Sequence, residues 1–290
     1  MADFINTIDR LGDDAVIDSI IDRSITEFKD DTVTVVGYAA FNECTELTAV
    51  DLPEVTTIHD RAFAGCTNLS ELHFPKLSTY SGNLNGFHGV FRKCKITEVA
   101  DEHFPMLTNL SGGIFRDCTS LTKVSLTNVT EMSWYALGGC SGITELNLPN
   151  LRTIGMNGCP PITTNLRKWV FPSLKTIANY GLSDTRYLEE FDCASTTAEV
   201  LTIGGTGNFG GSNIPLKAWI IRSASVAQLG GSILGNTLIG KGTGYIYVPR
   251  ALVDSYKVAT NWSTYASQFR ALEDYTVDGT ITGELDETKI

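Results

Sequence analysis

Residues 40–58 read AFNECTELTAVDLPEVTTI, and residues 62–80 read AFAGCTNLSELHFPKLSTY. The two stretches share their apolar positions after a shift of 22 residues. Six apolar or cysteine positions move together by this period, from Ile25, Phe28, Val33, Val36, Phe41 and Cys44 to Leu47, Val50, Val55, Ile58, Phe63 and Cys66. Self-similarity with a period of about 20–30 residues is typical of a solenoid. A solenoid offers an extended surface rather than a pocket, so the pattern favours a binding function over catalysis.

The repeat unit reads A-F-x-x-C-T-x-L-x-x-V-x-L-P-x-V-x-x-I and predicts one short strand per copy. Its segment L-x-x-V-x-L ends in strict alternation, which indicates a strand with one buried face. The proline that follows cannot donate a hydrogen bond to a neighbouring strand, and it ends the strand. The A-F-x-x-C stretch has the spacing of a turn or a short helix. Stacked copies predict an α/β solenoid, an arc with a parallel sheet of about nine or ten short strands and with short turns or helices on its other side.

The later copies depart from this unit. Copies that begin at Ile114 and Ala136 match more loosely, and those that start at Cys94 and Cys159 differ in length. From Thr185 onward the cysteine is lost, while apolar residues still fill the strand positions: Leu188, Phe191 and Cys193, then Leu216, Trp219 and Ile221, then Ile246 and Val248. Either this part of the surface is specialised for a ligand, or the last copies have simply diverged from the repeat pattern.

The chain has seven cysteines, an odd number that argues against a fully paired disulfide framework. The nearest two are 19 residues apart, so the C-x-x-C spacing of zinc and redox sites does not occur. The repeat predicts instead that one cysteine per copy stacks in an interior column as a small hydrophobe. The predicted members of this column are Cys44, Cys66, Cys94, Cys118, Cys140 and Cys159. Cys193 differs, because it fills a strand position.

Composition limits the classes of partner. The formal net charge is −11, and such an acidic surface repels phosphate backbones, so nucleic acid and anionic membranes are not expected partners. The sequence contains no apolar run long enough to span a membrane, and the first residues lack the pattern of a signal peptide. The compartment stays open: the protein remains in the cytoplasm until release, is associated with a virion, or has lost a leader and lies at a cell surface.

The ends of the chain are predicted to differ from the repeats. Residues 1–24 are expected to form an N-terminal cap, with a short amphipathic helix over 13–21. The solenoid is expected over 25–249, followed by a cap of two short helices over 250–273. Residues 274–290 are polar and are expected to form an exposed tail.

The signature A-F-x-x-C-x-x-L-x-x-[VIL]-x-[LF]-P resembles the BspA-like (type 5) leucine-rich repeats found in many bacteria, over residues 25–249. The resemblance implies a parallel-sheet solenoid used for adhesion and protein binding, with no family catalytic residues. The segments IIDRSITEF, IYVPRALVDSYKVATNW and YTVDGTITGELDETKI are similar to the ends of repeat proteins encoded by gut Firmicutes and their phages or prophages. That similarity implies a phage-encoded, virion-associated binding protein.

A ligand surface is predicted from the residues that point out of the sheet. The outward positions of the last strands gather aromatic and aliphatic side chains, which are typical of interface cores. The candidate binding residues are Val170, Ile220, Tyr245 and Tyr247, together with Lys168 and Glu190. The alternative is that these residues pack under the C-terminal cap.

Two glycine-rich stretches resemble nucleotide-binding motifs without their context. Residues 205–210, GTGNFG, match G-x-G-x-x-G but lack a helix pattern after them, and a dinucleotide site needs one. Residues 235–242, GNTLIGKG, have Gly242 where a P-loop has the serine or threonine that binds magnesium. The four histidines have no metal-ligand spacing. We therefore expect no catalytic residues, no cofactor and no metal.

Three functions follow in order of support. The first is a non-catalytic binding or adhesion protein that recognises a protein or a glycan through its repeat surface. The second is a structural component of a phage particle or surface appendage, which packs against sister subunits and other virion or surface proteins. The third is an enzyme that uses the glycine loops.

Overall fold

Each copy of the repeat forms one coil of a parallel β-solenoid in the computed structural model of the chain. The structure describes residues 8–9, 16–17, 19–20, 22–81, 88–158, 166–183, 185–193, 200–277 and 280–281. The chain forms two compact units, Met1–Leu146 and Asn147–Ile290. The predicted parallel-sheet solenoid is confirmed, and the A-F-x-x-C stretches of the best copies are turns rather than helices.

One strand of each coil is the strand that the L-x-x-V-x-L segment predicts, and we call these the motif strands. In the first unit they pair in parallel without a register shift, so that Ala49 lies opposite Glu71 and Asp51 opposite His73. Their bounds are Glu27–Lys29, Ala49–Asp51, Glu71–His73, Glu98–Ala100, Lys123–Ser125 and Glu145–Asn147. In the second unit they are Lys168–Phe171, Glu190–Cys193, Ala218–Ile221, Tyr245–Val248 and Phe269–Ala271.

A second, two-residue strand follows in most coils, and the sequence analysis did not predict it. It covers the end of the V-x-x-I segment, where threonine and other β-branched residues favour an extended backbone. The short strands are Val16–Ile17, Val35–Val36, Thr57–Ile58, Thr79–Tyr80, Asn109–Leu110 and Glu131–Met132 in the first unit, and Thr153–Ile154, Thr176–Ile177, Thr202–Ile203 and Gln228–Leu229 in the second. Neighbouring coils thus pair along two separate lines of strands. Within the first unit each line is interrupted once: Glu71–His73 is not in the sheet of Glu98–Ala100, and Thr79–Tyr80 is not in the sheet of Asn109–Leu110.

The helix expected over residues 13–21 is wrong for the described residues. Val16–Ile17 is a strand parallel to Val35–Val36, and Ser19–Ile20 pairs antiparallel with Ile8–Asp9. A short isolated helix is marginal in water, whereas the edge of the first coil offers unpaired backbone groups to an extended segment. Ile17 is fully buried there and covers the open end of the short-strand row.

The C-terminal stretch contains both helix and strand. An α-helix spans Val253–Val258, and 3-10 helices span Arg250–Leu252, Ser263–Gln268 and Leu272–Asp274. Phe269–Ala271, however, is a further motif strand that pairs in parallel with Tyr245–Val248. A short antiparallel pair, Thr276–Val277 with Thr280–Ile281, follows. No described helix is long and apolar enough to cross a membrane.

Phenylalanines of the A-F-x-x-C stretch stack from coil to coil through the first unit. The ring centroids of Phe41 and Phe63 are 4.8 Å apart, those of Phe63 and Phe91 are 5.4 Å apart, and those of Phe91 and Phe115 are 5.6 Å apart. All four side chains are fully buried, and Leu137 takes the same position in the next copy. This stack fills the interior beside the motif sheet.

The predicted cysteine column is present and its thiols are free and buried. Cys44, Cys66, Cys94, Cys118 and Cys140 belong to it, whereas Cys159 lies outside the described residues. Each thiol from Cys66 onward donates a hydrogen bond to the phenylalanine carbonyl of the preceding coil, as Cys118 does to Phe91 at 3.0 Å and Cys140 to Phe115 at 3.0 Å. Cysteine therefore serves as a small buried side chain that also satisfies a backbone acceptor.

Candidate functional site

The outward positions of the motif strands form two columns in the second unit, in the register that the alternation predicts. Lys168, Glu190, Ala218 and Tyr245 are successive partners across the strands. Val170, Asp192, Ile220 and Tyr247 form the second column. The fold therefore brings all six candidate binding residues onto one face of one sheet.

Their accessibility differs from the expectation. Tyr245 is 37% exposed and Lys168 is also exposed, while Val170, Glu190 and Tyr247 are half-buried. Ile220 is 0% exposed, so its prediction as a contact residue is wrong in this structure. The alternative reading, packing under the C-terminal cap, holds for Ile220.

Residues 272–275, which we call the C-terminal strap, cover Ile220. Leu272 and Tyr275 form an apolar cluster with Ala218 and Ile220, and Tyr247 packs against it. Tyr275 is only 5% exposed, so the expectation that the tail is exposed from residue 274 onward is wrong for this residue. The apolar face of Ala218–Ile221 is the reason, because it would otherwise be left in water.

Polar contacts hold the last two residues of the strap, Asp274 and Tyr275. The Tyr275 hydroxyl donates a hydrogen bond to Glu190 Oε2 at 3.0 Å, and the rings of Tyr275 and Tyr247 are 4.6 Å apart in an edge-to-face arrangement. The Arg250 guanidinium reaches Asp274 Oδ1 at 2.6 Å. Burial and the neighbouring Glu190 carboxylate raise the pKa of Tyr275 above its ordinary value, so the hydroxyl stays a donor at neutral pH.

Asp192 and Arg222 form a buried ion pair next to this cluster, which sequence reasoning missed. Arg222 Nε lies 2.8 Å from Asp192 Oδ1, and Arg222 Nη2 lies 2.9 Å from Asp192 Oδ2. Both residues are 6% exposed. The outward position of Asp192 predicted a solvated side chain, and nothing local in the sequence indicates its partner 30 residues later.

An accessible aromatic and cationic patch remains beside the strap. The Arg270 guanidinium lies over the Tyr245 ring at 4.2 Å, within the range of a cation–π interaction. The rings of Tyr245 and Tyr247 are 6.3 Å apart. We call Tyr245, Tyr247 and Arg270 the tyrosine patch. Arg270 was not predicted, because the sequence placed it in a helical cap rather than on the last motif strand.

Charged side chains border this patch on the earlier strands. Glu190 accepts ion-pair contacts from Lys168 at 3.6 Å and from Lys217 at 3.9 Å. Hydrogen bonds from Arg167 and Lys217 lower the pKa of Glu189. Both carboxylates are paired with basic side chains, which suits orientation of a ligand rather than proton transfer.

The glycine-rich motifs do not acquire a nucleotide-binding context. Residues 205–210 follow the strand Thr202–Ile203, but residues 204–213 contain no helix. Gly207 instead lies against the Tyr180 ring, where an added Cβ would come within 2.1 Å of the ring. Among the residues that the structure describes, no three His, Cys, Asp or Glu side chains are grouped to hold a metal.

The sequence profile of the BspA type leucine-rich repeat region, in six copies, matches residues 20–89 and 86–203. The chain belongs to the BspA-type leucine-rich repeat family. The resemblance predicted from the repeat signature is thereby confirmed. Members of this family are typically non-enzymatic.

One solved structure supports the same fold, and two others are less similar. A leucine-rich repeat protein from Bacteroides ovatus superposes with a TM-score of 0.60 at 22% identity, over 81% of this chain and 58% of that one. This BspA-type chain thus spans well under two thirds of that relative. The pneumococcal vaccine antigen PcpA matches at 14% identity over 86% of this chain and 66% of that one, with a TM-score of 0.47. A leucine-rich cell surface protein from Faecalibacterium prausnitzii matches at 15% identity over 85% of this chain and 78% of that one, with a TM-score of 0.35. No curated protein matches the chain.

Proposed function

We propose that this BspA-type repeat protein is a non-catalytic binding protein that recognises a protein or a glycan through the motif sheet of its second unit. The proposed contact residues are Tyr245, Tyr247, Val170, Lys168, Glu190 and Arg270. Compared with the set predicted from the sequence, Arg270 is new and the buried Ile220 is left out. The observation that carries the proposal is the tyrosine patch, where an exposed aromatic ring is held under a guanidinium at 4.2 Å.

The chemistry of the patch supports recognition. Tyrosine and arginine are enriched among the residues that contribute most to interface affinity. The stacking of Arg270 on Tyr245 restricts both side chains before a ligand arrives, which lowers the entropy lost on binding. The neighbouring Lys168 and Glu190 supply charges of both signs, which orient a partner rather than select for a single charge.

The test uses a random-peptide display library and an array of purified glycans as probes of the intact protein. Tyr245→Ala should weaken the selected ligands by at least about tenfold, the loss expected for a central aromatic contact. Tyr187→Ala is the matched control, because Tyr187 is similarly exposed at 41% and lies outside the motif strands of the same unit. Ligands that bind wild type and Tyr245→Ala equally would contradict the proposal.

The structural alternative, packing against sister subunits in a phage particle or appendage, stays a prediction. It is checked by the mass of the full chain in solution. A concentration-independent monomer argues against self-assembly, whereas a defined oligomer supports it.

A further inference from the structure

The turn segments of the first unit carry a second candidate site, on a different part of the coil from the motif sheet. We use the name turn segments for residues 39–44, 61–66, 89–94 and 113–118, which match x-[AVI]-F-x-x-C. A groove of about 200 Å³ crosses the first three of them. Its charged or titratable lining consists of Arg61, His88, Arg92, Lys93 and one carboxylate, Glu43. The lining thus holds three permanent cations and one carboxylate, and two further carboxylates adjoin it: Asp117 pairs with Arg92, and Asp60 lies beside Arg61 and His88.

The backbone explains why the groove is open. The residue before each cysteine adopts a left-handed conformation, with φ of 60° at Glu43, 80° at Gly65 and 64° at Lys93. Gly65 occupies the middle coil, and a Cβ there would lie 2.6 Å from Glu43 Oε1. The absence of a side chain at Gly65 therefore makes room for the Glu43 carboxylate, which lies over this backbone on one side of the groove.

Of the groove's cations, Arg92 is paired with a carboxylate and Lys93 is not. Arg92 Nε donates to Asp117 Oδ2 at 3.0 Å from the following coil. Lys93 is exposed and makes no ion pair with any residue that the structure describes. Lys93 therefore offers an unshared positive charge at the rim.

Arg61 and His88 form the other wall. Arg61 Nη2 donates a hydrogen bond to His88 Nε2. Arg61 Nε has no hydrogen-bond partner among the described residues. The guanidinium lies 5.9 Å from the Tyr38 ring, and Tyr38 is 60% exposed. A flat, accessible aromatic surface thus adjoins the cationic wall.

The sequence marks the same place. Cys66 and Cys94 are 28 residues apart, whereas Cys44 and Cys66 are 22 apart, so this copy is longer by six residues. The extra residues lie between Tyr80 and Val90 in the chain, close in sequence to His88, and residues 82–87 are outside the part of the chain that the structure describes.

We propose that this groove binds the acidic group of a saccharide, a uronate carboxylate or a sulfate ester, with the sugar ring against Tyr38. The volume suits one sugar residue. Lys93, Arg92 and Arg61 contact the anion, and the tyrosine ring contacts the apolar face of the sugar. A polyanion such as nucleic acid is disfavoured, because its further phosphates would meet an acidic surface. This site is independent of the tyrosine patch, which belongs to the other unit.

The experiment is calorimetric titration of the intact protein with digalacturonate and with a sulfated disaccharide, against a neutral disaccharide of the same size. We expect both acidic probes to bind, the neutral one not to bind, and binding to weaken with added salt. Lys93→Glu should weaken binding by at least about tenfold, since it replaces an attraction with a repulsion. The matched control Lys95→Glu makes the same charge change on an exposed residue that does not line the groove.

The substitution Lys93→Glu has a precedent in this chain. Glu43 occupies the same position of a nearby copy in the same left-handed conformation, so the Lys93→Glu protein should fold. The proposal is overturned if neither acidic probe binds, or if Lys93→Glu and Lys95→Glu weaken binding equally. It is also overturned if inorganic sulfate or an acidic tripeptide binds as tightly as the acidic disaccharides, since the saccharide would then not be recognised.

Discussion

The cysteine position shows how one residue type is selected by two requirements. The side chain must be small enough to stack in the interior, and it meets a phenylalanine carbonyl of the preceding coil, as Cys66 meets Phe41 at 3.0 Å. A thiol satisfies both, whereas alanine would leave the carbonyl with one bond fewer. Thr185 fills the position in a later copy, fully buried, with its hydroxyl 3.4 Å from the Leu182 carbonyl.

The described thiols should be chemically silent in the native protein. Burial raises the pKa of Cys140 to about 12 and raises that of Cys118 and Cys193, so little thiolate exists at these positions near neutral pH. A hydrogen bond with Cys66 lowers the pKa of Cys44, but this thiol is fully buried and a reagent cannot reach it in the folded chain. We predict that six of the seven cysteines resist a thiol reagent until the protein unfolds, the exception being Cys159, which lies outside the described residues. Absorbance of the released dye in native buffer and in concentrated guanidinium measures this. Rapid labelling of two or more native thiols would contradict it.

At the scale of the element, a coil is stable only because its neighbours cover it. Phe63 illustrates this, since its ring lies between those of Phe41 and Phe91, at 4.8 Å and 5.4 Å. Backbone bonds run along the same stack, from Phe41 N–H to the Ala62 carbonyl at 2.7 Å and from Phe63 N–H to the Val90 carbonyl at 2.9 Å. A substitution that disrupts packing in one coil is therefore expected to destabilise the coils on both sides of it.

Phe63→Ala should destabilise the protein by about 3–5 kcal/mol, because it removes a fully buried ring and leaves a cavity between two others. Phe63→Leu is the control and should cost less, about 1–2 kcal/mol, since Leu137 occupies the same position in a later copy. Urea unfolding followed by circular dichroism measures both. Equal losses for the two variants would argue that the site does not depend on side-chain volume.

At the scale of the whole molecule, residues close to the C-terminus complete the motif sheet of the second unit. Phe269–Ala271 adds a strand, and Leu272 and Tyr275 then cover Ala218 and Ile220. The boundary that the sequence suggested, with an exposed tail from residue 274, therefore lies within the packed core of this unit.

A chain that ends at Glu273 should unfold at a lower temperature than a chain that ends at Val277. The shorter chain loses the Tyr275 ring and the Arg250–Asp274 ion pair, and we expect a loss of about 2–4 kcal/mol, dominated by the buried ring. Differential scanning calorimetry of the two chains measures the difference. Identical transitions would show that the strap does not stabilise the sheet, and the tail could then be removed freely in tests of self-association.

The sequence by itself determined the features that recur with the period. The motif strands, the buried Phe and Cys positions and the outward columns all follow from a local pattern repeated along the chain, because each coil buries the same face against the next. Tertiary structure alone decided the features that depend on residues distant in sequence. Asp192 meets Arg222 from 30 residues away, and Glu190 meets Tyr275 from 85 residues away, so no local pattern encodes either contact. The short strands and the groove around Gly65 likewise arise only when coils stack, since stacking decides which backbone groups pair and which side chains share a surface.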